Sequence, residues 1–146
     1  MFDIKNLRQF GITKTLKSFF LYLVLLILTR PSVLQAHPCE NASMQLQGDL
    51  GVVINRGGLW SLMEQRGLKE NSVIGMQADS KLARLVGHFE TLCESEKKPT
   101  KQLFVTIENL LGEARTIFNP RSSGEEIFKL VENLVKELDA LLAKIE

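Results

Sequence analysis

The sequence predicts an all-α protein, a small up-down antiparallel four-helix bundle held by one disulfide and preceded by an export leader. Apolar residues beyond residue 37 recur at alternating spacings of four and three, the period of an amphipathic helix. No segment there alternates with period two, as a half-buried strand would. Polar or proline-bearing stretches divide the chain into helix-length pieces joined by short turns, and such pieces fold most simply as an up-down bundle.

The leader comes first. Lys5, Arg8, Lys14 and Lys17 precede an apolar run from Phe19 to Leu28, after which Thr29-Arg30-Pro31 leads to Ala36. A basic start, a short apolar block and a small residue at the cut describe a cleavable signal peptide over residues 1–36. A spanning helix needs about 20 apolar residues, and Arg30 and Pro31 interrupt this run well before that. No stable membrane span is therefore expected after cleavage. The protein is expected to be exported, to a periplasm or outside the cell, with residues 37–146 forming a single domain.

The first exported segment carries Leu46, Leu50, Val53, Gly57 and Trp60 at helical spacing, extended by Leu62 and Met63. Gly48, Gly51, Gly57 and Gly58 weaken it, each by about 1 kcal/mol relative to alanine in a helix interior. A strand over Val52 to Ile54 is the rival assignment, but it has no partner strand. The expectation is a helix bent or broken near Gly57.

The second helix follows from Ala78, Leu82, Leu85, Phe89 and Leu92, with Asn71 or Ser72 available as cap. Glu94-Ser95-Glu96-Lys97-Lys98 then reads as a turn. A third helix, from about Pro99 to Phe118, rests on Leu103, Ile107, Leu110, Ala114 and Ile117. Pro120 closes it. The fourth carries Ile127, Val131, Leu134, Leu138, Leu141 and Ile145, and its start is marked by the S-x-x-E spacing of Ser122 with Glu125 or Ser123 with Glu126.

Cys39 and Cys93 are expected to pair, since two cysteines in one small exported domain most simply form a bridge. They lack the Cys-x-x-Cys spacing of a redox or metal motif. In an up-down bundle the start of the first helix and the end of the second lie at the same end, where such a bridge can close.

Charge excludes one class of partner. The whole chain carries a net charge of +1, and removal of Asp3, Lys5, Arg8, Lys14, Lys17 and Arg30 leaves −3. No basic stripe is present, so no nucleic acid is expected.

Chemistry-bearing motifs are sparse. Cleavage after Ala36 would make His37 the terminus, so that His37 and His88 could hold copper, though imidazoles alone are a weak metal signal. His88 with Met44, Met63 or Met76 could ligate haem in a bundle core, but methionines at helical spacing ordinarily fill cores. There is no Cys-x-x-Cys-His, no Glu-x-x-His pair and no Gly-x-Ser-x-Gly. The Gly57-Gly58 pair lacks the lysine of a phosphate loop. Asn41-Ala42-Ser43 is a glycosylation sequon that matters only in a host that glycosylates exported chains. No catalytic residue, metal or cofactor is therefore assigned.

The function expected is a non-catalytic module that binds a protein or small ligand, or its own copy, through an apolar helix face. The broad apolar faces of the last two helices motivate it. The alternative is a haem- or copper-binding redox bundle. Mass spectrometry of exported protein should find a chain starting at His37 and lighter by two hydrogens than the reduced form. Free thiols at both cysteines would sink the bridge.

Overall fold

The computed structural model describes residues 38–145, so the leader and His37 lie outside the described residues. Five α-helices follow one another: α1 Pro38–Asn55, α2 Gly58–Gln65, α3 Ser72–Glu94, α4 Lys101–Ile117 and α5 Gly124–Ile145. The first two are the single broken helix expected from the sequence. A short 3-10 turn, Lys69–Asn71, leads into α3. There is no strand among the described residues, and none of their helices is long and apolar enough to cross a membrane.

The break falls where the glycines are. Gly57 and Gly58 take φ of 91° and 75°, left-handed values that other residues rarely adopt. The turn shifts the helical register, so Leu59, Leu62 and Met63 face the core while Trp60 is 39% exposed. Continuing the α1 spacing through Gly57 to Trp60 placed Trp60 on the inner face, and the break is why it is not there.

Gly58 and Gly75 let α2 lie directly on α3. A Cβ on Gly75 would sit 2.7 Å from the Trp60 backbone nitrogen and 2.8 Å from the Leu59 carbonyl carbon. Asp79, one turn further along α3, accepts hydrogen bonds from the backbone N–H groups of Leu59 (2.9 Å) and Trp60 (3.1 Å). A side chain from a different helix thus caps the first turn of α2, whose own N-cap is a glycine. A Cβ on Gly58 would meet that carboxylate at 2.5 Å.

The starts of α4 and α5 use local caps. Pro99, expected in the first helical turn, lies just outside α4, whose N-cap is Thr100, its hydroxyl accepting from the Leu103 N–H at 3.1 Å. At α5 the pair is Ser123 with Glu126: the Ser123 hydroxyl accepts from Glu126 N–H at 3.2 Å, and the Glu126 carboxylate from Ser123 N–H at 2.9 Å.

Consecutive long helices run antiparallel, and α1 packs against α3 and α4 while α5 packs against α3 and α4. Around the bundle the order is therefore α1, α3, α5, α4. That order makes α1 and α4 neighbours pointing the same way: Gln45 donates to Glu108 and, one turn on, Arg115 pairs with Asp49 at 2.6 Å. Cys39 at the start of α1 and Cys93 near the end of α3 are bridged, with Cα atoms 5.6 Å apart and a sequence separation of 54. Closing a loop of that length is worth about 4 kcal/mol on the chain-entropy estimate.

The core runs the length of the bundle, from Leu46 and Val53 of α1 to Leu138 and Leu142 of α5. At the end opposite the disulfide, Arg66 donates to the carbonyls of Pro120 and Ser122, and the Arg56 guanidinium lies over the Phe118 ring at 5.5 Å. These contacts seal the α4–α5 turn against the α1–α2 break.

Two substitutions separate a forced glycine from an unforced one. Gly75→Ala should lose about 1–3 kcal/mol in urea unfolding, because backbone and not a flexible side chain stands in the way. Gly48→Ala, which meets nothing within 4 Å, should gain up to about 1 kcal/mol; equal effects at both sites would contradict the close approach.

Asp79 predicts a pH dependence. Burial pushes its carboxyl above the ordinary aspartate value, opposed by the hydrogen bonds from Leu59 and Trp60. A raised folded-state pKa means the folded protein holds the proton more tightly. Its contribution is fully present below the unfolded-state value and is lost as pH rises through the folded-state value. The stability of the native protein relative to Asp79→Asn should accordingly decline as pH rises from below the ordinary aspartate value through the higher folded-state value. A difference that instead grows with pH would show that the two N–H bonds outweigh burial.

Candidate binding pocket at the disulfide end

The parallel α1 and α4 bring both of their N-termini to the end of the bundle that carries the Cys39–Cys93 bridge. Between them opens a pocket of about 380 Å³, walled by Pro38, Cys39 and Ala42 of α1, by Phe89 of α3, and by the α3–α4 turn with the first turns of α4. Phe89 and Phe104 form its floor, their ring centroids 6.0 Å apart and their planes tilted by 53°. Phe89 belongs to the core, and Phe104 is partly buried against it. The floor thus presents mainly the partly buried Phe104, with Phe89 covered beneath it.

The turn that forms the pocket's rim is well braced. The Ser95 hydroxyl lies 2.9 Å from the carbonyls of Leu92 and Lys97, and the Lys98 ammonium donates to the Cys93 carbonyl at the end of α3. On the other side of Lys98, Pro99 and Thr100 lies a second depression of about 430 Å³, floored by Leu92, Leu103, Leu141 and Ile145. Lys97 and Lys144 stand at its edge.

Charge is segregated among these hollows. The only charged residues lining the first are Lys98 and Lys101, and those lining the second are Lys97, Lys98 and Lys144. A third hollow, on the outer side of α1 and α3, is instead lined by Glu40, Glu90 and Glu94. A fourth, between α4 and α5, holds Glu113 and Glu137. Burial, then the neighbouring Glu137, pushes the Glu113 carboxyl above its usual range, as two like charges near one another require.

The residues singled out from sequence separate in space. Met63 is wholly enclosed in the core, whereas Met44 and Met76 are more than half exposed. His88 is half-buried on α3, and His37 lies outside the described residues. No group of three or more His, Cys, Asp or Glu side chains placed to hold a metal occurs among the described residues. The cysteines are joined, leaving no free thiol among the described residues.

The apolar surplus expected on the last two helices is mostly absorbed. Leu103, Phe104, Phe118, Phe128, Leu141 and Ile145 all pack against the core, leaving Val105 and Leu130 as their exposed large apolar residues. Most of the exposed ones lie earlier, at Met44, Val52, Ile54, Trp60, Val73 and Met76.

Comparison with known protein families, with characterised proteins and with solved structures finds no match for this chain.

Proposed function

We propose that this protein is an exported, non-catalytic binding module and that its ligand enters the pocket between α1 and α4. The observation that carries this reading is the apolar pocket beside the bridge, where the partly buried Phe104 stands next to the buried Phe89. Its volume of about 380 Å³ falls within the size range of small-molecule sites, and like them it is apolar with a few polar groups at the mouth. Export is supported by the leader and by a bridge of a kind that persists in oxidising compartments. The absence of a free thiol and of a metal-holding cluster among the described residues gives the site no evident reactive group. Binding is what the pocket offers.

Titration with an uncharged solvatochromic dye such as Nile red tests this. The protein should take up one dye per chain with a blue-shifted emission. Ala42→Trp, which puts an indole into the pocket from α1, should weaken uptake about tenfold or more while leaving far-UV helicity unchanged. No saturable uptake, or equal uptake by the variant, would overturn the assignment.

A further inference from the structure

We infer that the pocket takes a free single-chain amphiphile ending in a carboxylate, such as a medium-chain fatty acid, with its tail against Pro38, Ala42 and Phe104 and its carboxylate at Lys101, beside Lys98. This inference rests on the pocket being a binding site and adds the class of ligand. An apolar floor calls for a hydrocarbon tail. A volume of about 380 Å³ lies near the lower end for ligand sites, which suits one chain and not the paired chains of a phospholipid.

The lysines decide the head group. The domain beyond the leader is net acidic, yet no carboxylate lines this pocket. Lys101 is the first residue of α4 and has neither an ion pair nor a hydrogen bond to its ammonium among the described residues. A helix N-terminus carries a partial positive charge, so a cation there is disfavoured and an anion favoured. The contrast within the chain is direct: the first turn of α5 holds Glu125 and Glu126, while that of α4 holds no acidic residue. Lys98 already donates to the Cys93 carbonyl, which leaves the Lys101 ammonium as the cation at the mouth with no answering group among the described residues, and a carboxylate head would supply one.

Displacement of the bound dye by decanoate, by decan-1-ol and by decyltrimethylammonium, at low salt and neutral pH, separates the possibilities. Decanoate should compete about tenfold better than the alcohol, and the cation worst of the three. Lys101→Glu should abolish the preference for decanoate over decanol, and Lys101→Arg should retain it. Equal competition by decanoate and decanol would overturn the carboxylate inference but leave the apolar pocket standing. Absence of dye uptake by the native protein would remove both. Co-sedimentation with phosphatidylglycerol vesicles without competition by free decanoate would show the lysine-rimmed end to be a reader of anionic membrane surface, and would likewise overturn the inference.

Discussion

The feature on which this architecture turns is the placement of α1 beside α4, pointing the same way. In a bundle whose consecutive helices alternate in direction, α1 could have flanked α5 and met only antiparallel neighbours. Instead it lies between α3 and α4, tied to α3 by the Cys39–Cys93 bridge and to α4 by Gln45–Glu108 and Asp49–Arg115. Two helix N-termini consequently share one end of the molecule. Pro38, Cys39 and Ala42 face Lys101 and Phe104 across a gap with the Phe89 ring at its base. The pocket and its electrostatic character both follow from that single choice of neighbour.

The two ends of the bundle are built on opposite principles. At the α1–α2 break the backbones of α2 and α3 touch, because Gly75 removes a side chain that would otherwise hold them apart and Asp79 satisfies the amides that the turn leaves free. Arg66 and Arg56 then cover the adjoining turn. At the disulfide end the covalent bridge ties α1 to α3, and the apolar pocket opens beside it. Where backbone approach supplies cohesion there is no room for a ligand. Where a covalent tie limits how far the helices can separate, an opening can persist.

Much of the fold was legible because it rests on local rules. The heptad-like spacing of Ile127, Val131, Leu134 and Leu138 marks a face that α5 buries almost completely, and the Ser123–Glu126 box sets where that helix starts. Gly57 announced a break. The pocket was less legible: Phe89 and Phe104 belong to ordinary apolar seams, and Lys97 and Lys98 to an unremarkable polar turn. The available signal was the lysine that opens α4, where helix-dipole preferences favour an acid. It becomes informative only when the neighbouring hollow is seen. The start of α4 shows the same limit on a scale of two residues: the proline suited a first helical turn at Pro99, but the helix begins at Lys101 behind a Thr100 cap.

By itself the sequence determined the helical class, the number of long helices, the break at the paired glycines and the pairing of Cys39 with Cys93, because each depends on residues close along the chain or on a choice with one partner available. Only the tertiary structure decided which helices are neighbours, why Gly75 is a glycine, that Asp79 caps a helix other than its own, and which apolar residues stay uncovered. Those outcomes depend on distances between segments far apart in sequence. Hydrophobic periodicity states that a face must be buried, but it carries no information about which face will cover it.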